Sequence, residues 1–110
     1  MSDASDPHFF DRMNALVKLA NHQCADASAD QVSHAFINAS SRFNVWLWAV
    51  TSADVNDMKS RREEALKILM QETYDSFNRQ FDEYAANFDE YMKDSIRMVP
   101  GTTMTRAPRE

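Results

Sequence analysis

Three histidines and one cysteine are the side chains best able to hold a metal ion, namely His8, His22, Cys24 and His34. Helical metal sites place two ligands one turn apart, or use a Cys-x-x-Cys pair, so that both ligands point at one ion. No two of these four residues have that spacing. Cys24 follows His22 by two residues, which points the two side chains apart on a helix. We therefore expect no metal, no cofactor and no catalytic residues, so the chain is predicted not to be an enzyme.

A second set of residues could bind a small molecule. It comprises polar and aromatic side chains on two predicted helices: Asn21, Gln23, Arg42, Asn44, Trp46 and Trp48. A functional interpretation is a polar site in which Arg42 binds an anion or carboxylate, beside a pocket lined by tryptophan. A structural interpretation is hydrogen bonding between helices, with Arg42 paired to a carboxylate of the third helix and the tryptophans in the core. Both interpretations stay open from the sequence.

The backbone that must position these residues is predicted to be helical throughout. The 110 residues contain one glycine and three prolines, and neither type occurs between His8 and Val99. Sheets need turns that are built largely from those residues, so the sequence predicts an all-α fold. A net charge of −5 argues against binding a nucleic-acid backbone, which needs a cationic face.

The expected cellular compartment follows from the number of cysteines and from the absence of targeting patterns. With one cysteine, no internal disulfide can form, which fits a reducing compartment. The first ten residues are acidic and polar, unlike a secretory signal, and no apolar run approaches the roughly 20 residues of a membrane span. We expect a soluble cytoplasmic protein with no membrane and no nucleic-acid partner.

Capping signals divide the chain into helices at about 7–25, 29–51 and 54–96, forming one domain over 6–98. Asp6 and Pro7 are predicted as the N-cap and first residue of the first helix. Ser28 and Gln31 form a capping-box pattern at the start of the second. Residues 1–5 and the basic tail 99–110, after Pro100 and Gly101, are predicted to be disordered.

The third helix carries an aromatic seam, which consists of Tyr74, Phe77, Phe81, Tyr84, Phe88 and Tyr91. Their alternating steps of three and four are the a and d positions of a heptad repeat. A continuous helix over 55–94 would be roughly 60 Å long, about twice the length of either preceding helix. The fold is therefore predicted as two shorter helices packed on a long third helix. The alternative is a four-helix bundle in which the third helix folds back near 75–78.

Two segments resemble a family of bacterial proteins. One runs from Phe9-Phe10-Asp11-Arg12 to Leu19-Ala20-Asn21-His22-Gln23, and the other from Val32-Ser33 to Ser41-Arg42-Phe43-Asn44. In these motifs the chain is similar to the domain-of-unknown-function family numbered 3144, over roughly residues 8–84. His22 replaces an acidic residue of the family pattern, and serines at 40 and 41 replace alanines. The resemblance implies a compact helical body with no assigned activity and no catalytic residues.

From these patterns we expect a non-enzymatic interaction protein. The aromatic seam would bind a second copy, giving a homodimer, or the helix of another protein. The alternative is a small-molecule carrier that uses Trp46, Trp48 and Arg42.

Overall fold

The computed structural model describes residues 5–93. Within this range the chain forms helices and no strand, which confirms the predicted all-α class. The helices are α1 (Phe9–Gln23), α2 (Ala29–Val50), α3 (Val55–Ser60), α4 (Arg62–Ala86) and α5 (Phe88–Met92). Apart from Ser5, the ends predicted to be disordered lie outside the described residues, as does the end of the predicted third helix.

Two compact units make up the chain. The first comprises Met1–Phe36 with Asp89–Glu110, of which 5–36 and 89–93 are described. It contains α1, the beginning of α2 and most of α5. The second comprises Ile37–Phe88 and contains the rest of α2 together with α3 and α4.

The start of α2 is the capping box that the sequence predicts. The N–H of Gln31 donates to Ser28 Oγ at 3.2 Å, and the N–H of Ser28 donates to Gln31 Oε1 at 2.9 Å. Helix α3 begins in a related way, because the Asp57 N–H donates to Asp54 Oδ1 and the Ala53 N–H donates to Asp57 Oδ2, both at 2.8 Å. Each pair satisfies two backbone donors that a helix start leaves without an intrahelical acceptor.

Helix α1 begins two residues later than the Asp6–Pro7 pattern predicts. Its N-cap position is His8, whose side chain makes no capping hydrogen bond. Asp6 instead closes a turn before the helix: its Oδ1 accepts from the His8 N–H at 2.9 Å and its carbonyl accepts from the Phe9 N–H at 3.1 Å. Asp and Pro are both turn residues, so the same pair that can start a helix forms this turn.

The predicted third helix is divided into α3, α4 and α5, with breaks at Arg61 and Asn87. At the first break, Ser60 Oγ donates to the Asp57 carbonyl at 2.7 Å, and the Arg61 N–H donates to the Met58 carbonyl three residues back at 3.1 Å. At the second break, the Asn87 side chain donates to the Glu83 carbonyl at 2.9 Å. Local hydrogen bonds of this kind compete with the helical ladder, and they accompany both breaks, which no glycine or proline marks.

Helix α4 is continuous through 75–78, where the four-helix alternative places a fold-back. That alternative is wrong, since Asp75, Ser76 and Asn78 all lie inside the helix. The residues are only mediocre helix formers, but their propensity cost is a few tenths of a kcal/mol each and does not end a 25-residue helix.

Few side chains of the described residues are buried. The buried apolar residues are Ala29 and Val32, at the beginning of α2. Further along α2, in the second unit, Phe43, Trp46 and Val50 are each more than half exposed. Apolar periodicity predicts which side of a helix is apolar, and a packed core needs a second surface against that side.

Candidate association surface

Helix α4 exposes large apolar side chains along one face. The α4 apolar face consists of Leu66, Met70, Tyr74, Phe77 and Phe81, which are between 55% and 67% exposed. Their spacing of three or four residues keeps all five on one side of the helix. The rings of Phe77 and Phe81 contact each other with centroids 5.8 Å apart. The face is therefore a continuous strip that extends the aromatic seam by two turns toward the start of α4.

A different side of α4 is the half-buried one. It carries Ala65, Leu69, Ser76 and Gln80, again at helical spacing. Gln80 Nε2 donates to Ser76 Oγ at 2.9 Å on this side. The half-buried side thus includes two polar residues, whereas the exposed side carries aromatic rings. Large exposed apolar patches of this kind mark interaction sites.

From Gln71 onward, uncharged residues border the face on both edges. Beside the heptad positions of the seam, the flanking residues between 71 and 87 are Gln71, Thr73, Asn78, Gln80, Ala85 and Asn87. The charged residues of this segment, such as Glu72, Asp75 and Arg79, occupy positions further round the helix. Flanking positions of a heptad repeat are where charges normally select the partner. Here an approaching helix meets amide and small side chains.

The remaining seam residues differ in how exposed they are and in which of the two compact units they belong to. Phe88 is 50% exposed, and Tyr84 and Tyr91 are half-buried. Tyr74 to Phe88 belong to the second unit, whereas Tyr91 belongs to the first. The structure therefore describes the seam as one surface only from Tyr74 to Phe88.

The residues predicted for a small-molecule site are distributed over both units. Asn21, half-buried, and Gln23, exposed, lie in α1 of the first unit. Arg42, Asn44 and the two tryptophans lie in α2 of the second unit.

Within the second unit, Asn44 and Trp46 make contacts with nearby residues of their own helix. The Asn44 side chain donates to the Ser40 carbonyl of its own helix at 2.8 Å. Trp46 is 53% exposed, and its ring contacts Phe43 with centroids 5.4 Å apart. Arg42 is exposed and makes no ion pair with a carboxylate in residues 5–93, so its predicted pairing with the third helix is not found there.

Trp48 lies in a polar junction that the sequence patterns do not reveal. The Arg61 junction consists of Trp48, Thr51, Ser52 and Arg61. The Arg61 guanidinium carbon lies 4.5 Å from the centre of the Trp48 ring. Its Nη1 donates to the Thr51 carbonyl and to Ser52 Oγ, both at 3.0 Å. The stacked, hydrogen-bonded cation holds the end of α2 against the start of α4.

The junction supplies what α2 lacks at its C-terminus. Its last turn has no basic residue. Thr51 Oγ1 donates to the Leu47 carbonyl at 3.0 Å, and Ser52 Oγ donates to the Trp48 carbonyl at 2.7 Å. Arg61 then brings a positive charge to this end of the helix, which favours a cation. In the sequence, α2 ends without a glycine and without a basic residue in its last turn, which indicates that a cation from another part of the chain binds there. This signal does not identify Arg61 as that cation.

The described residues offer neither a metal site nor a membrane span. No group of three or more His, Cys, Asp or Glu side chains in residues 5–93 is arranged to hold a metal ion. In the same range, no helix is both long and apolar enough to cross a membrane.

Comparison with known proteins identifies a family. The family model described as "Protein of unknown function (DUF3144)" matches residues 9–85, close to the 8–84 range of the resemblance noted from the sequence motifs. No curated protein and no solved structure matches the chain. The matched segment contains α1, α2 and α3 and nearly all of α4, including the whole α4 apolar face. The chain belongs to the DUF3144 family.

Proposed function

We propose that this protein acts by binding, without catalysis, and that the α4 apolar face is the surface through which it associates with a second copy of itself or with the helix of a partner protein. The observation that carries the proposal is the exposure of Tyr74, Phe77 and Phe81, at 67%, 64% and 63%, on one face of an uninterrupted helix. Aromatic side chains dominate interface energetics because each offers a large, rigid apolar area.

Chemistry around the face also supports association. Tyr74 presents a hydroxyl group at the edge of an apolar strip, as suits an interface whose rim is wet. No flanking charge must be desolvated when another helix approaches the strip between 71 and 87. We place this activity in the cytoplasm, because a single cysteine fits a reducing compartment.

The direct test replaces Phe77 and Phe81 together with aspartate. Two charges on the strip would have to be desolvated in a complex, whereas on a free helix they remain in water. We expect a folded monomer, with helical circular dichroism unchanged and the sedimentation coefficient reduced from that of the dimer.

A matched control is Phe43→Asp, since Phe43 is also 64% exposed but lies on α2. This variant should keep the oligomeric state of the unmodified protein. Dimers that persist in the Phe77/Phe81 variant would contradict the proposed surface. An unfolded double variant would show that the face is an internal core, since each buried aromatic residue lost costs about 3–5 kcal/mol.

A further inference from the structure

We infer that the partner of the α4 apolar face is a second copy of this chain, with the two α4 helices running antiparallel across a twofold axis near the middle of the helix. This inference rests on the proposed function and specifies its partner and orientation. Three features of α4 lead to it, namely the area of the face, its uncharged borders and the charges at its N-terminal end.

The area of the face is sufficient for a dimer of modest stability. A large aromatic side chain buries about 150–250 Å² when fully covered. The five side chains of the face are 55–67% exposed, so together they offer about 600 Å² per copy. Two copies would bury about 1,200 Å², the lower end of the range for specific interfaces. We therefore expect a reversible dimer whose population depends on concentration.

The uncharged borders favour a second copy over a charged partner. Helices that select a different protein do so largely through complementary charges at the flanking positions. Between 71 and 87 this chain has none there. An identical helix therefore meets no like charge at these positions, although the segment as a whole is acidic.

The relative orientation of the two α4 helices follows from the residues at the heptad positions before Tyr74. Continuing the repeat backward places Met70 at d, Lys67 at a and Glu63 at d, and both charged residues are exposed. In a parallel dimer in register, each Lys67 would face the other Lys67, and each Glu63 the other Glu63. Like charges directly opposed across a helix interface are unfavourable, and a charged residue at an a position is known to decide how helices pair.

An antiparallel arrangement removes both clashes. Pairing a with d positions at the largest overlap of the two α4 helices, over 65–86, puts the axis between Asp75 and Ser76. Tyr74 then lies beside Phe77 of the second copy, and Met70 beside Phe81, a favourable sulfur–aromatic contact. Lys67 reaches the level of Tyr84 of the second copy, where no second Lys67 faces it. The opposed helix dipoles also favour this orientation.

Spin labels on single cysteines distinguish the two orientations in the full-length protein. The background is Cys24→Ser, because serine can donate the same hydrogen bond that Cys24 Sγ makes to the Ala20 carbonyl. One label replaces Glu64, in the first turn of α4, and the control label replaces Asn78, near the proposed axis. Both sites are exposed.

The antiparallel dimer predicts a long distance at one site and a short one at the other. Labels at Glu64 would be separated by 23 residues along the helix axis, about 35 Å at 1.5 Å per residue. Labels at Asn78 would be separated by five residues, about 8 Å along the axis, plus the lateral spacing of two packed helices.

Other outcomes separate the inference from the proposed function. Short distances, below about 20 Å, at both sites would mean a parallel dimer, which overturns the antiparallel orientation and leaves the association surface intact. No dipolar coupling at either site, with native mass spectrometry showing labelled and unlabelled protein as monomers, would overturn self-association itself.

Discussion

At the scale of single residues, local hydrogen bonds lower the pKa of the Asp6 carboxyl group. Its Oδ1 accepts from the His8 N–H, and its Oδ2 accepts from Arg12 Nε at 2.9 Å. The backbone hydrogen bond and, after it, the Arg12 guanidinium hold the pKa of Asp6 below its ordinary value of 3.8. Both favour the ionised carboxylate.

The two hydrogen bonds to the Asp6 carboxylate predict the midpoint of its titration and how that midpoint changes in a variant. In an NMR titration of its carboxyl carbon, the midpoint should lie below 3.8, and Arg12→Ala should raise it only part of the way, because the His8 hydrogen bond remains. A folded pKa below the unfolded one stabilises the folded state above the unfolded value. That contribution is lost as pH falls through the folded pKa. A midpoint at or above 3.8 in the unmodified protein would contradict the turn geometry.

Sequence patterns predicted single residues well where a partner lies within four positions. The Ser28–Gln31 capping box is formed as the motif predicts. The prediction that Asp6 is the N-cap of α1 is wrong: Asp6 closes a turn before the helix, because an Asp-Pro pair can start either a turn or a helix. Arg61 was missed, since its acceptors at Thr51 and Ser52 lie ten and nine residues away, respectively, and no spacing rule connects them.

At the scale of helices, the Arg61 junction holds the end of α2 against the start of α4 through one side chain. We predict that Arg61→Ala lowers the free energy of unfolding by about 1–2 kcal/mol, through the loss of charged hydrogen bonds and of the cation–π contact with Trp48. Urea titration followed by circular dichroism measures the change, at one fixed protein concentration because association contributes to stability.

The neighbouring arginine provides the control. Arg62 is exposed at the start of α4, and Arg62→Ala should change the free energy of unfolding by less than about 0.5 kcal/mol. Arg61→Lys should fall between the two, because lysine keeps the charge without the planar group that stacks on tryptophan. Equal effects of the Arg61 and Arg62 alanine substitutions would show that the junction does not stabilise the fold.

Helix boundaries were predictable from the sequence to within a few residues, but the breaks in the third helix were not. The continuity of α4 through 75–78 agrees with the absence of glycine and proline there. Side-chain hydrogen bonds to the backbone, made by Ser60 and Asn87, accompany the breaks at Arg61 and Asn87, but Asn44 makes the same kind of bond inside the continuous α2. Serine and asparagine also occur inside the helices of this chain, so their presence alone does not mark an end.

At the scale of the molecule, the near absence of glycine and proline predicts the all-α class, and the heptad spacing predicts an aromatic strip; both are present. The packing of two short helices on a third stays a prediction. What covers an apolar strip depends on a second surface, and that surface is encoded in residues distant in sequence or in another chain.

The measurement that tests self-association most directly is native mass spectrometry of the unmodified protein over a range of concentrations. Self-association predicts a species of twice the chain mass that grows with concentration and carries no added ligand mass. This species should be lost in the Phe77/Phe81 aspartate variant. A monomer at every concentration would contradict self-association through the α4 apolar face. Added small-molecule mass on either species would instead support the carrier function expected for Trp46, Trp48 and Arg42.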